Sequence, residues 1–450
     1  MQTKNQIDMT TGGIVQKLLI FSIPIIFSGI LQLVFNAADI IVVGQFAGDE
    51  SLAAVGATSS LINLLIGLFT GLATGTNVIA ANYLGAQKLE NVKKTVHTSI
   101  IVSIFAGIFL TIIGISFAKP ILKLMKIPSE VLPLATVYLK IYFGGITTTM
   151  LYNFGSSLLR AKGDTKRPLY VLLIAGIINV ILNLLFVIVF KMNVAGVALA
   201  TIISQGFSAV CILFMLVQEK NEFKLTLKNL KFDKHIFIKM IKIGVPAGFQ
   251  GMMFSFSNVI IQSAINSFGA VIIAGNSAAL SIEGFVYIAM NGFAQGTLTF
   301  TSQNYGAKKY DRIKTVAITS EIIVFLIGTI FGGIVILFSE QILSLYTKSQ
   351  DALEAGKIRL LVICSVYCLC GMMDVIGNII RGIGHSILPM IVTLAGACGL
   401  RILWIATLFQ IPKFHSTYTI YFSYPVSWLI TFLIEVICFT FIFRKMKNCR

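Results

Sequence analysis

The sequence predicts an all-α integral membrane protein, with twelve transmembrane helices in two six-helix lobes related by a pseudo-two-fold axis along the membrane normal. Three observations carry this reading. Hydrophobic residues make up 56% of the 450 and charged residues only 12%, about half the ~25% usual in soluble domains. Apolar runs of about 20 residues, enough to cross a bilayer, recur from end to end. The chain also repeats itself. Pro24, Asn36 and Asn82-Tyr83-x-Gly85-Ala86 return 222 residues later as Pro246, Asn258 and Asn304-Tyr305-Gly306-Ala307. Arg160-x-x-Gly163-x-x-x-x-Pro168 returns at an offset of 221 as Arg381-x-x-Gly384-x-x-x-x-Pro389. Each copy holds an even number of spans, so both enter the membrane from the same side, as parallel rather than inverted repeats.

Gly, Pro and Asn breaks and charge clusters set the span boundaries. The predicted spans are 15–44, 52–80, 92–117, 131–159, 168–190 and 194–218, then 237–265, 271–301, 313–338, 356–380, 386–411 and 418–443. The first follows a polar stretch, is long and lacks a small-residue cleavage site, so it is expected to be retained rather than removed as a signal peptide. In the second, Gly67, Gly71 and Gly75 stand four apart on one face, as Gly292 and Gly296 do in its counterpart; small faces let helices approach closely in lipid. After the third, Lys119, Lys123 and Lys126 alternate with apolar residues and predict a short interfacial helix. Between the sixth and seventh lies a Lys-rich linker, residues 219–235, expected to tether an N-terminal lobe (1–218) to a C-terminal lobe (236–450).

The net charge of +17 invites a nucleic-acid reading, which its distribution rejects. Of 35 Lys and Arg, 25 fall on the termini and even-numbered loops, nine on odd-numbered loops, and Arg401 inside a span. That asymmetry is the positive-inside pattern and predicts both termini in the cytoplasm of a multi-pass plasma or inner membrane protein. The seven Cys show no disulfide or metal pattern; Cys364, Cys368 and Cys370 read as small buried side chains. No phosphate loop, HExxH or other clustered catalytic motif is present. The sequence therefore reads as a non-enzyme without a cofactor.

Charges within a bilayer are costly and mark functional sites. Asp39 leads, deep in the first span, with Asn36 a turn earlier. Desolvation penalises a carboxylate's charged form, the property needed by a group that gains and loses a proton as access alternates. Pro24, in the same span, cannot donate a backbone hydrogen bond and can kink the helix. Asn179 and Asn183 share one face of the fifth span, and Thr201 lies in the sixth. These groups either lock the lobe through mutual hydrogen bonds or surround Asp39 and tune its occupancy. In the second copy Glu283 and Asp374 are the acids to weigh. Both are candidate substrate contacts; the bland reading of Glu283 is an internal hydrogen-bonding acid, and that of Asp374 is a structural ion pair with Arg401. Asn153, the counterpart of Asp374 in the first copy, joins them as a candidate substrate contact. Glu435 has no assigned role.

Pro24 with Asp39, Asn82-Tyr83-x-Gly85-Ala86, Arg160-Ala161-x-Gly163-Asp164-Thr165-x-x-Pro168, Asn179-x-x-x-Asn183 and Gly196-x-Ala198-x-Ala200-Thr201 together resemble the MATE (multidrug and toxic-compound extrusion) family, with likeness to its MepA-like branch. The resemblance covers essentially the whole chain. It implies two six-helix lobes exporting cationic, lipophilic compounds against an inward proton or sodium gradient, by a protein that works as a monomer among membrane lipids. It also implies a cation site at Asp39, Asn179 and Thr201, and suggests that an acid at Glu283 attracts cationic drugs. Asn183 departs from relatives that have a second Asp there, which removes one titratable group. The rival reading is a lipid-linked oligosaccharide flippase of the same superfamily. It would require more spans or a strongly cationic cavity, whereas Arg401 is the one intramembrane base this reading recognises.

Overall fold

A computed structural model describes residues 6–448; Met1–Asn5 and Cys449–Arg450, which hold the extreme ends of both predicted lobes and part of the terminal charge, lie outside the described residues. All regular structure among the described residues is helical. In chain order the elements are α1 (Ile14–Phe46), α2 (Asp49–Gly85), α3 (Leu89–Leu124), α4 (Leu132–Gly144), α5 (Ile146–Ala161), α6 (Lys166–Leu184) and α7 (Asn193–Gln218). The second copy contributes α8 (Lys234–Asn266), α9 (Ala270–Gly306), α10 (Tyr310–Leu337), α11 (Ser339–Ser344), α12 (Gln350–Cys364), α13 (Cys368–Gly382), α14 (Ile387–Thr393), α15 (Leu400–Ala406) and α16 (Thr417–Asn448). A π-helical turn, Leu185–Val189, extends α6, and another, Leu394–Gly399, joins α14 to α15.

These elements form the twelve predicted columns. Among the described residues nine helices are each long and apolar enough to span a membrane, and α12 with α13, bent by 45°, make a tenth. The other two are α4 with α5, split at Gly145, and α8, whose Lys239, Lys242, Gln250 and Asn258 dilute its apolar stretch. The repeat also fixes the turns. Gly48 and Gly269 precede α2 and α9 at φ 84° and 91°, and Gly163 and Gly384 end the Arg-x-x-Gly turns at φ 98° and 102°. Side chains with a Cβ rarely adopt these angles, so glycine at matching places lets each copy make the same turn.

By packing, the described residues divide into two compact units: 6–8 with 27–248, and 9–26 with 249–448. In unit 1, α5 packs on α2, α3 and α7, and α6 on α7, around a core that includes Leu110, Tyr138, Phe143, Met150 and Val197. In unit 2, α9 packs on α10, α12 and α13, and α13 on α16. The start of α8 belongs to unit 1, where Gly71 and Gly75 of α2 meet Gly244 and Gly248 with no room for a Cβ. There Lys239 Nζ donates to Tyr83 Oη at 2.9 Å. Met9–Ile26, which is the first half of α1 with the five residues before it, belongs to unit 2. Asn304 Nδ2 and Arg312 Nε both donate to the Met9 carbonyl at 3.1 Å, and Lys309 Nζ donates to the Thr10 carbonyl at 2.7 Å. The repeated Asn-Tyr end of each copy's second helix thus receives the beginning of the other copy. Pro24 and Pro246 sit inside α1 and α8, in each case two residues before the last residue ahead of the helix's change of unit, Ile26 and Gly248.

Two expectations change. Lys119 and Lys123 do not form a separate interfacial helix, because α3 runs unbroken through Pro120 to Leu124. The linker is not a loose tether. Residues 219–235 lie within unit 1: Phe223 and Leu225 are buried, and the amides of Thr226 and Asp233 donate to His97 Nε2 at 3.4 Å and Thr98 Oγ1 at 3.1 Å. Its first residue, Glu219, closes a buried ion network with Lys162 Nζ at 2.6 Å and Arg167 Nη2 at 2.5 Å. Arg167 also pairs with Asp164.

Candidate functional site

Each unit holds a polar cavity. In unit 1 the second half of α1 presents Gln32, Asn36 and Asp39 at helical spacing, α6 presents Asn179 and Asn183 one turn apart, and α7 presents Thr201, Ser204 and Gln205. All but Asn183 line a cavity of about 60 Å³. Asn183 Nδ2 donates to Asp39 Oδ1, and also to Asn179 Oδ1 at 3.2 Å. Asn179 and Asn183 are buried, and Asn183 Oδ1 and Gln205 Oε1 are buried without a partner. The Thr201 hydroxyl donates to the Val197 carbonyl at 3.0 Å, leaving its lone pairs free to accept. Tyr138 and Tyr142, stacked at 6.2 Å on α4, come within electrostatic reach of Asp39. The structure therefore brings Asp39, Asn179, Asn183, Thr201 and Asn36 together. Tyr138, Tyr142, Gln32 and Gln205 are additions that residue spacing alone did not single out. The size decides what this cavity can do. Organic ligands occupy roughly 300–1,000 Å³, whereas a water's share of liquid is about 30 Å³. The site has room for a bare cation, a proton on Asp39 or one to two waters, offered carboxylate, amide and hydroxyl oxygens of the kind hard cations prefer.

Unit 2 holds a larger cavity of about 340 Å³, with Asn258, Glu283, Asp374, Arg401 and Trp428 among its walls. Asn258 is the repeat counterpart of Asn36, so the same position of each copy faces a cavity. The acids behave differently from one another. Glu283 is held by Arg359, whose Nε and Nη2 donate to the two carboxylate oxygens at 2.8 Å each, while its Nη1 donates to Asn276 Oδ1 at 2.8 Å. The Arg359 guanidinium also lies over the rings of Tyr421 and Tyr424, at 5.4 and 5.5 Å. Glu283 is thus an internal hydrogen-bonding acid, and it also stands in the wall of this cavity. Asp374 faces Tyr287 and Asn291 and feels the charge of Arg381; no ion pair joins it to Arg401 among the described residues, so that expected pair is absent. Asn153 lies on α5 of unit 1 and is not among the walls of this cavity. Arg359 was missed because its position near the start of the tenth span grouped it with loop charges; it is 1% exposed, as buried as the 2% exposed Arg401.

The MatE family model matches residues 24–185 and 246–407. The two matches begin at the two prolines and cover more than half of the chain. The chain belongs to the MATE family. Its members are transporters, not enzymes. Among curated relatives, the probable multidrug resistance protein YoeA of Bacillus subtilis is 26% identical over 97% of this chain and 95% of its own length. The multidrug export protein MepA of Staphylococcus aureus is 22% identical over 81% of each. Among solved structures, an outward-facing multidrug resistance MATE transporter superposes with a TM-score of 0.93 at 21% identity over the full length of both chains. A MATE transporter in complex with MaL6 gives 0.93 at 22% identity, over 99% of this chain and 100% of the other. These likenesses show the two-lobe, twelve-helix membrane fold that the repeat predicts.

Proposed function

We propose that this MATE protein is a secondary-active multidrug efflux antiporter, exporting lipophilic organic cations in exchange for protons or sodium by alternating access of its two lobes. One observation carries the reading: the two cavities differ in scale and chemistry. Asp39, held by Asn183 in a cavity of about 60 Å³, is fitted to an ion. The unit 2 cavity of about 340 Å³, walled by aromatic side chains and bearing Asp374, is fitted to an organic molecule. An ion site apart from a substrate site is what exchange without direct competition requires. The relatives' names, a multidrug export protein and a probable multidrug resistance protein, support the same reading. The protein is expected to work as a monomer in the plasma membrane with both termini cytoplasmic.

The test is transport in liposomes containing the purified protein, with a fluorescent cationic dye and with proton and sodium gradients imposed separately. One gradient is expected to drive dye movement, and Asp39→Asn is expected to abolish it while the protein remains in the membrane. Undiminished gradient-driven movement by that variant refutes the Asp39 role. Dye movement indifferent to both gradients refutes antiport and favours the flippase.

A further inference from the structure

We infer that Arg401 makes the unit 2 cavity a receptor for zwitterionic amphiphiles, with the ligand's carboxylate at Arg401 and its cationic end at Asp374. The inference deepens the proposed function and rests on it only in taking this cavity as the organic-ligand site.

Charge balance points there first. Glu283 and Arg359 cancel in a bidentate pair. Arg381, bonded to Gln250 and to Asn378, faces two acids, Glu435 before Asp374, so it leaves Asp374 short of a full partner. Arg401 has no such counterpart: it takes part in none of the ion pairs among the described residues. It is 2% exposed, and a guanidinium cannot shed its charge in a protein, as a buried lysine can. Burying such a charge unpaired is costly.

Geometry then shows which part of Arg401 is free. Its Nε donates to Ser427 Oγ at 2.8 Å. Its guanidinium lies over Tyr424 at 4.1 Å and nearer the edge of reach of Trp428 at 5.4 Å. The aromatic contacts and Ser427 hold the group still, yet its Nη2 is buried without an acceptor. A guanidinium whose Nη2 lacks an acceptor, held in the wall of a cavity with room for an organic molecule, can give a carboxylate oxygen a charge-assisted bond. Arg401 and Asp374 line the same cavity without pairing, so a ligand carrying both charges can satisfy both ends. A simple organic cation satisfies Asp374 and leaves Arg401 as it was.

Rhodamine 110, a zwitterion at neutral pH, and rhodamine 123, its monocationic methyl ester, share one aromatic body and differ at the carboxyl. Binding of each to the full-length protein in detergent, at neutral pH and without any gradient, is read by fluorescence anisotropy. The native protein is expected to prefer rhodamine 110 by about tenfold or more, the ratio that a charge-assisted bond of about 1.5 kcal/mol yields. In Arg401→Gln the ratio is expected to fall to near one, and in Ser427→Ala, which frees Arg401 to turn, to fall part of the way. Equal binding of the two dyes by the native protein overturns the inference, as does a preference that survives Arg401→Gln. Should Arg401→Gln fail to fold, an unchanged preference in Ser427→Ala overturns it instead. Loss of the preference in 0.5 M chloride with no change in ester binding supports a shared anion seat; chloride-insensitive preference that also survives both variants assigns it to the micelle and overturns the inference. Because no gradient is used, failure here leaves the antiport reading standing, and failure of antiport leaves this one standing.

Discussion

At the scale of single residues, the sequence displayed the unit 1 site more clearly than the unit 2 site. Asp39, Asn179, Asn183 and Thr201 stood out because polar groups in a span are few and those on one helix share a face. The Glu283–Arg359 pair was hidden, because its partners lie 76 residues apart and no periodicity links an arginine near one helix start to an acid on another helix. That pair makes a sharp prediction. Removing one member of a buried ion pair leaves an uncompensated charge and costs about 3–5 kcal/mol, whereas replacing both by neutral groups of similar volume is often nearly neutral. Arg359→Met alone and Glu283→Gln alone are therefore each expected to lower the thermal unfolding temperature of the solubilised protein. The double variant is expected to recover most of the loss. A double variant as unstable as the sum of the two singles would show that Arg359 is held by its tyrosines and Asn276 rather than by Glu283.

At the scale of elements, span positions were legible and their interruptions were not. Hydropathy averages over a window, so the split at Gly145 and the 45° bend between α12 and α13 leave little trace in it. The glycine face of α2 was legible only as a face. Gly71 and Gly75 press on the α8 backbone, while an added Cβ at Gly67 would meet nothing within 4 Å. Gly75→Val is expected to force α2 from α8 and cost about 1–3 kcal/mol, in the range of overpacked cores. Gly67→Ala should stay within about 0.5 kcal/mol of the native protein. Thermal unfolding of the two variants side by side checks this, and equal losses would contradict the packing. The linker makes a second prediction. Burial pushes the Glu219 carboxyl up, but hydrogen bonds from Lys162 and Arg167 outweigh it and hold it below the usual carboxylate range. A carboxyl lowered in the folded state contributes stability that is present above its unfolded value of about 4.3 and is lost as pH falls through the folded value. Backbone hydrogen exchange over 219–233, corrected for its intrinsic pH dependence, should therefore rise below about pH 4. Glu219→Gln should show faster exchange already at neutral pH, and native-like protection in that variant would mean that Phe223 and Leu225 hold the linker without the ion network.

At the scale of the whole molecule, the duplication was legible because turns and kinks are local, and the two copies keep them at matching positions. Membership of the compact units was not, because contiguity in sequence is not contact: the start of α8 belongs with unit 1 and the first half of α1 with unit 2. The copies also diverge in buried charge, with Asp39 opposite Ile261 at the repeat offset of the first landmark. Duplication supplied a shared frame on which an ion-sized cavity and an organic-sized cavity arose separately. Orientation is a property of the whole chain as well, since it is set by the summed bias of 25 basic residues against nine rather than by any one loop. Lys119, Lys123 and Lys126 oppose that sum and are expected to be outvoted by it. With the seven native cysteines replaced by serine or alanine, Asn221→Cys in the linker and Lys308→Cys after α9 should react with a membrane-impermeant maleimide only in inside-out vesicles. Lys191→Cys and His415→Cys, in the connections on the opposite side, should react only in intact cells. Labelling of Asn221→Cys in intact cells would reverse the orientation, and with it the direction in which Asp39 must pass its ion.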